Sequence, residues 1–297
     1  SPDVAFERSI NPYRGYEHGC IYCYARPTHS WLDLSPGLDF ETRLFAKRDA
    51  ADRLADELSH PGYVCKPIAI GVNADAYQPI ERTHRITRAV LELLAETEHP
   101  ALIVTKSGGV LRDLDLLRKM AGKNLAQVSV SITTLEPDLA RKMEPRAATP
   151  SRRLATVGAL AQASVPVSVL VAPVIPGLND HEMERILEAS AEAGARSADT
   201  ILLRLPFELK TLFSDWLKAH YPARASRVLS LIRQCRAGTL NDTRFGVRQT
   251  GTGPYADLIG RRFEAARKRL GLAQRSLDLD CSRFHPPEQV GDQLHLF

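Results

Sequence analysis

Cysteine is scarce in this sequence: five of the 297 residues, at positions 20, 23, 65, 235 and 281. Such an odd, widely spaced set is not the pattern of a disulfide framework, which small secreted domains build from paired cysteines. Cys65, Cys235 and Cys281 stand alone in the chain, and we expect each to act as a small buried apolar residue. Cys20 and Cys23 are only three positions apart, the spacing of a metal-binding or redox pair.

Long apolar runs are also missing. No stretch approaches the roughly 18–20 apolar residues that cross a bilayer, and the first residues do not resemble a secretory leader. The composition is 44% hydrophobic, 25% charged and only 6% aromatic, as in ordinary globular proteins. We therefore expect a cytoplasmic protein without a membrane partner. The net charge of +4 permits contact with nucleic acid but does not indicate it.

What the sequence does contain is a regular alternation of two kinds of segment. Short apolar runs predict strands at 4–10, 67–72, 101–105, 127–132, 167–173 and 200–204. Amphipathic segments between them predict helices at 82–96, 111–121, 150–163 and 181–193. This alternation is typical of a parallel sheet covered by helices on both faces. The prediction is an α/β fold of about six strand–helix units.

Polar side chains follow the predicted strands directly. They form the groups Asn73–Pro79, Lys106-Ser107, Thr133-Thr134 and Val174–Asp180. Ligands of parallel α/β folds bind at the carboxyl ends of the strands, where these groups lie. Asn179 and Asp180 are also ordinary turn and cap residues. Lys106 and Gln78 have no role in turns, so we expect them to be functional.

The cysteine pair lies in a distinctive loop, Asn11-Pro-Tyr-Arg-Gly-Tyr16-Glu-His-Gly-Cys20-Ile-Tyr-Cys23-Tyr-Ala-Arg-Pro27. Tyr16 occupies the position at which a third cysteine would complete C-x3-C-x2-C. That triplet is the signature of the radical S-adenosylmethionine (SAM) enzymes. Five later pieces match in the same order: Asp75-x-Tyr77-Gln78-Pro79, Thr105-Lys106-Ser107, Ser131-Ile-Thr, Glu144-Pro-Arg146-Ala and Ala172-Pro-x-Ile-Pro-Gly-Leu-Asn-Asp180. Over roughly residues 8–205, the chain resembles the radical SAM superfamily, in particular its spore photolyase-like subgroup.

The resemblance implies a partial (β/α)6 TIM-like barrel over residues 1–206, with the cluster loop at 16–23. Residues 207–297 would form a helical C-terminal extension with a wrapping tail, in line with helical patterns at 209–219, 224–236 and 255–270. It also implies two cofactors, a 4Fe-4S cluster and SAM, and an electron donor such as flavodoxin or ferredoxin. Reductive cleavage of SAM would yield a 5′-deoxyadenosyl radical that abstracts hydrogen from a substrate, for which nucleic acid is a candidate.

Site residues follow from the same resemblance. Cys20 and Cys23 would bind iron, and Tyr16 would stand at the first ligand position. The residues that would hold SAM are Tyr22 and Tyr24 beside the adenine, Asn73 and Asp75 at the amino group, Lys106, Ser131 and Arg146 at the carboxylate or ribose, and Val174 at a strand end along the adenine.

Tyr16 leaves three interpretations open. Clusters are held mainly by cysteine thiolates, so a phenol at this position can disable the cluster. The phenolate can instead be an unusual oxygen ligand. A third option is that another residue supplies the bond: His18, Cys65, Cys235 or Cys281. We favour the first, because the flanking residues keep the family pattern.

Two other classes of function compete with a radical enzyme. A structural zinc site would need four ligands, and the sequence offers no second cysteine or histidine pair. A non-catalytic member that keeps the barrel and binds SAM or nucleic acid is the stronger alternative. Arginines between 224 and 269 could contact phosphates, although few aromatic residues are interleaved with them, so a solvated helix face is the simpler interpretation.

Overall fold

Strands that follow one another along the chain also lie side by side in the sheet. The computed structural model describes residues 2–274 and 278–288. Its strands are β1 Arg8–Ile10, β2 Tyr13–Arg14, β3 Phe45–Ala46, β4 Ile68–Ile70, β5 Ala101–Thr105, β6 Ala126–Ser131, β7 Val167–Val174, β8 Ser197–Leu202 and β9 Ala273–Gln274. The main sheet has the order β1-β4-β5-β6-β7-β8-β9 and is parallel throughout. It is open between β1 and β9, as in a partial barrel.

Helices connect the strands and cover the sheet. They are α1 Leu38–Thr42, α2 Ala50–Leu58, α3 Glu81–His84, α4 Ile86–Glu96, α5 Leu114–Ala121, α6 Pro137–Met143, α7 Pro150–Gln162, α8 Met183–Glu192, α9 Leu209–His220, α10 Pro222–Gln234 and α11 Pro254–Arg269. The start of α7 shows why the sequence folds so: Thr149 caps it by accepting from Arg152 N, and Pro150 occupies the first turn. In the described part of the chain, no helix is long and apolar enough to cross a membrane.

The predicted α/β fold is confirmed, with local differences. β8 begins three residues earlier than the predicted strand at 200–204. The predicted helix at 82–96 is broken at Arg85, whose φ of 51° is left-handed, so that α3 ends and α4 begins there. The short helices α1, α2 and α6 were not predicted. The division near residue 206 stays a prediction, and part of the predicted wrapping tail, 275–277 and 289–297, lies outside the described residues.

The core explains why the strands read as nearly continuous apolar runs. Every residue of β6 and of β7 is buried: residues such as Val128 and Val169 pack in the core with the helices, and residues such as Ser131 and Leu170 line the cavity on the inner side. The main cluster joins side chains of these strands to apolar faces of the surrounding helices, such as Leu91, Leu117, Val157 and Ile186. The sheet edge formed by the strands' carboxyl ends is therefore held on a rigid support.

A small antiparallel ribbon shapes the chain around the cysteine loop. β2 and β3 pair, with Tyr13 opposite Ala46 and Arg14 opposite Phe45. The segment between the ribbon strands contains the cysteine loop and two short 3-10 helices, Arg26–Thr28 and Ser30–Leu32. Tyr16, Cys20, Tyr22 and Phe40 belong to a second apolar cluster beside the carboxyl ends of the main strands. The ribbon thus pairs the chain just before the cysteine loop with the chain after it.

Replacing Gly71 with alanine should destabilise the fold. Gly71 follows β4 with a φ of +84°, and a Cβ there would lie 2.7 Å from the backbone oxygen of Val104. We expect Gly71→Ala to lower the free energy of unfolding by about 1–3 kcal/mol, measured by urea denaturation. Gly260→Ala is the control, because Gly260 lies inside α11 with nothing within 4 Å of its Cβ position. That change should stabilise the protein by up to about 1 kcal/mol; equal losses in both variants would contradict the prediction.

Candidate cofactor site

The cysteine loop is held by hydrogen bonds of its own backbone and by one buried arginine. Tyr16 N donates to Phe40 O at 2.8 Å, and Cys23 N donates to Cys20 O at 3.2 Å. Arg26 Nε donates to Cys20 O at 2.9 Å, and its guanidinium donates to two further backbone carbonyls. Arg26 is only 1% exposed. The protein alone therefore fixes the shape of this loop.

Tyr16 is packed as a core residue rather than presented as an anion. Its ring meets Phe40 edge-on with centroids 6.4 Å apart, and its hydroxyl lies 3.3 Å from His18 Nδ1. Burial is the main cause that raises the pKa of the Tyr16 phenol well above its ordinary value, and the neighbouring Cys20 thiol adds to it. The group at the first ligand position is a neutral phenol, the weaker ligand form.

Among the described residues, no other side chain completes a three-ligand metal site with the thiols of Cys20 and Cys23. Cys20 is fully buried, and burial raises the pKa of both Cys20 and Cys23. Among residues 2–274 and 278–288, no three Cys, His, Asp or Glu side chains are grouped so that they could hold a metal ion. None of the alternative third ligands, His18 included, therefore completes the site. Two thiols and a neutral phenol do not match the three-thiolate donor set of a 4Fe-4S cluster of this kind, so the residues present do not fit it.

A cavity of about 480 Å³ lies directly beside the loop, at the carboxyl ends of the strands. Its volume is within the usual range for small-molecule sites. Most residues predicted from the sequence line it together: Tyr16, Tyr22, Cys23, Tyr24, Asn73, Asp75, Lys106 and Ser131. Apolar lining comes from Leu170, Ala172 and Pro173 of β7 and from Ile201 to Leu203 at β8. The cavity thus combines charged groups with apolar surface.

Asp75 and Lys106 form the charged side of the cavity. The Asp75 carboxylate accepts from Thr105 Oγ1 at 2.6 Å, Lys106 N at 2.6 Å and Tyr77 N at 2.9 Å. Lys106 Nζ donates to Ser131 Oγ at 3.1 Å. Burial lowers the pKa of Lys106, while the nearby thiols and Asp75 act in the opposite direction. Such a partly desolvated cation is well suited to bind a ligand carboxylate.

A buried carboxylate, Glu144, connects the loop to the barrel wall. It accepts hydrogen bonds from the Tyr22 hydroxyl, from Thr133 Oγ1 at 2.7 Å and from Arg153. Arg153 also donates to Ser131 O at 3.0 Å. Glu144 and Arg153 are 3% and 2% exposed, so each neutralises a charge that would otherwise be buried without a partner. Tyr22 is thereby held in the cavity wall.

Four predicted residues lie outside the cavity lining. Cys20 is behind it, fully buried, and Val174 is buried in β7. Arg146 is exposed and donates to Glu41 at 2.5 Å and to a backbone oxygen of the loop. Gln78, expected to be functional, is buried and accepts from Glu17 N at 2.8 Å. Arg146 and Gln78 therefore support the loop from outside the cavity.

Two cavity residues, Arg204 and Arg248, were not predicted to lie at this site, although Arg248 was one of the arginines considered for phosphate contact. Arg204 follows β8, and its guanidinium lies 5.5 Å from the Tyr24 ring centroid. Its Nε is buried without a hydrogen-bond partner in the described structure. The rule used for Lys106, a charged residue just after a strand, did not find Arg204, because the predicted strand at 200–204 extends past the end of β8 at Leu202. Arg248 comes from the loop before α11 and stands 4.4 Å from the Phe245 ring centroid. No local sequence pattern signals its approach to the cavity.

Comparisons with known proteins agree with this geometry. The family model described as the radical SAM superfamily matches residues 10–189. An uncharacterized protein of Mycobacterium tuberculosis is 36% identical over 233 residues, covering 78% of this chain and 68% of that protein. An uncharacterized protein of Methanocaldococcus jannaschii is 28% identical over 173 residues, covering 58% of this chain and 62% of that protein.

Solved structures share the fold. Spore photoproduct lyase in complex with a dinucleoside spore photoproduct superposes with a TM-score of 0.57 at 17% identity, covering 87% of this chain and 71% of that one. A mutant of that lyase with bound AdoMet and the same dinucleoside gives 0.56 at 18% identity, covering 89% and 73%. At this level of identity the likeness shows a common fold.

Removing the charge of Glu144 should be costly. Glu144→Gln would leave Arg153 buried without its anion, and we expect a loss of about 3–5 kcal/mol in the free energy of unfolding. Asp138→Asn is the matched control, since Asp138 forms exposed ion pairs with Arg141 and Lys142 on the surface of α6 and should change stability little. Urea denaturation of both variants gives the comparison. A loss no larger at Glu144 than at Asp138 would show that the buried pair is unimportant.

Proposed function

Because the chain belongs to the radical SAM superfamily, we propose that its cavity binds S-adenosylmethionine beside the cysteine loop. The superfamily uses this cofactor with a 4Fe-4S cluster. The observation that carries the proposal is the cavity of about 480 Å³, whose lining joins Cys23 and three tyrosines to charged groups at the strand ends.

Each part of SAM has a matching group in the cavity wall. Lys106, held by Ser131, offers a cation for the carboxylate of the methionine part. Asp75, beside the exposed Asn73, offers an anion for the amino group. Tyr22 and the apolar end of β7 offer flat and apolar surface for the adenine. We place the methionine end of SAM near Cys23 and the adenine toward β7 and β8.

The scaffold is that of a radical enzyme, and Tyr16 decides how much of that activity this chain keeps. Cys20 and Cys23 provide two of the three thiols that a cluster with an open iron requires. The neutral, buried phenol of Tyr16 does not provide the third. We infer that this chain binds SAM while its cluster is weakened or absent. With cysteine at position 16, we expect the barrel to cleave SAM reductively and to start hydrogen abstraction on a substrate.

The partners are inferred from the same chemistry. Cluster reduction would need an electron donor of the flavodoxin or ferredoxin kind, in the cytoplasm. Nucleic acid remains the candidate substrate, supported by Arg204 over Tyr24 in the cavity wall, since guanidinium and aromatic groups together suit phosphates and bases. Arg248 also lines the cavity but forms an ion pair with Asp3. The arginines of α11 support it less, because several are paired: Arg262 with Glu184, Arg267 with Glu264 and Arg269 with Glu188.

SAM binding should depend on Lys106. Lys106→Ala removes the only cation proposed for the carboxylate, and we expect the dissociation constant for SAM to rise about ten- to hundredfold. Isothermal titration calorimetry with SAM measures it. Lys218→Ala, which removes an exposed cation of α9, should leave the affinity unchanged. Unaltered SAM binding by the Lys106 variant would show that the SAM carboxylate does not bind at Lys106. If the unmodified chain did not bind SAM at all, the proposed function would be refuted.

Iron content should depend on position 16. After anaerobic reconstitution with iron and sulfide, we expect well under four irons per chain with Tyr16 and about four with Tyr16→Cys. The reduced EPR spectrum of the cysteine variant should shift when SAM is added. Tyr16→Phe is the control: if the phenol oxygen bound iron, this change would lower the iron content further. A cysteine variant that reconstitutes no better than the unmodified chain would show that Tyr16 is not the defect.

A further inference from the structure

The described part of the C-terminal tail, residues 278–288, crosses the end of the barrel opposite the cavity. Asp280 N donates to Asn124 O at 3.0 Å, just before β6. His285 N donates to Thr97 O at 3.1 Å, just before β5. The tail thus passes from the β9 side across the amino ends of β6 and β5. It ties the described C-terminal segment to parts of the barrel more than 150 residues earlier in the chain.

Side-chain contacts bring the same tail to the loop that precedes β4. The Phe284 ring meets Tyr63 and His99, with centroids 5.3 and 5.2 Å apart. His99 is fully buried, and its Nε2 lies 2.8 Å from the Tyr63 hydroxyl. These contacts make a small aromatic cluster that fixes the tail against residues 63–65. The tail is therefore seated at this position by packing as well as by backbone hydrogen bonds.

This arrangement places two cysteines side by side that lie at opposite ends of the sequence. Cys65 follows Tyr63 by two residues and Cys281 precedes Phe284 by three, so the contact between the Tyr63 and Phe284 rings brings the two cysteines close to each other. Burial, and after it the nearby Cys281 thiol, raises the pKa of Cys65. Both residues are partly exposed, and neither is bonded to another cysteine. The expectation that each is an isolated buried apolar residue is wrong for this pair. By contrast, Cys235 is buried and does match that expectation.

We propose that Cys65 and Cys281 form a redox modification site, in which a disulfide fastens the C-terminal tail to the loop before β4. The inference does not depend on the proposed function, since the pair lies at the amino ends of the strands and the cavity lies at their carboxyl ends. A bond there closes a loop of more than 200 residues. The cross-link joins the tail to the loop that precedes β4.

The chemistry requires an oxidant of the small-molecule disulfide class, such as oxidised glutathione. The thiolate of one cysteine attacks a glutathione sulfur, forms a mixed disulfide and releases one glutathione thiolate. The thiolate of the second cysteine attacks the sulfur of the first, forms the Cys65–Cys281 bond and releases the second glutathione. Two cysteine thiols are oxidised, one glutathione disulfide is reduced, and the two thiol protons pass through solvent to the released glutathione.

The test is disulfide mapping of the full chain in glutathione buffers of stepwise increasing oxidised fraction. Free thiols are alkylated, and the digested chain is analysed by mass spectrometry. We expect a peptide pair joined through Cys65 and Cys281, counted separately from any Cys20–Cys23 bond. Cys65→Ser and Cys281→Ser should each show only a glutathione adduct on the remaining thiol. The melting temperature should rise by about 5 °C on oxidation of the unmodified chain, and this rise should be absent from both variants.

A second measurement uses only the unmodified chain, so its outcome does not depend on whether a variant folds. The equilibrium constant for forming the Cys65–Cys281 bond with glutathione is measured for the native chain and for the same chain unfolded in guanidinium. Because the unfolded chain must close a very long loop, we expect the native value to be at least about a hundredfold larger. Equal constants, or adducts on both cysteines without a cross-link, would overturn the proposal.

Discussion

The buried carboxylate of Glu144 is the interaction on which the site depends. It comes from the end of α6, yet it accepts hydrogen bonds from Tyr22 of the cysteine loop, Thr133 after β6 and Arg153 of α7. A carboxylate inside a protein is tolerated only when its charge and its lone pairs are satisfied. Satisfying Glu144 therefore requires three separate segments to meet, and their meeting fixes the loop against the barrel.

Charged groups elsewhere in the cavity wall are likewise held by hydrogen bonds. Asp75 takes backbone and side-chain donors from the β5 end, and Lys106 extends over the opening toward Ser131. The strands that hold these groups in place are stabilised by a hydrophobic core of protein side chains, without a contribution from bound SAM. With tyrosine rather than cysteine at position 16, the barrel and the proposed SAM pocket are still formed. Fold and cofactor chemistry are separable here because the ligand loop is stabilised by protein groups such as Arg26.

The two ends of the barrel have different chemistry. The carboxyl ends of the strands carry the charged cavity, while the amino ends carry the tail, its aromatic cluster and the Cys65–Cys281 pair. The tail crosses the amino ends of β6, β5 and β4 through contacts with Asn124, Thr97 and Tyr63 in succession.

The sequence by itself determined the parallel α/β architecture, the cysteine loop and most cavity residues. Apolar strands alternate with amphipathic helices, and polar residues that directly follow parallel strands must meet at one edge. Lys106 and Asp75 were predictable for that reason. The position of Arg248 at the cavity and the proximity of Cys65 to Cys281 were decided only by the tertiary structure. Both depend on how segments that are distant in the sequence cross each other. The neutral state of Tyr16 was likewise decided there, since burial sets the pKa of its phenol.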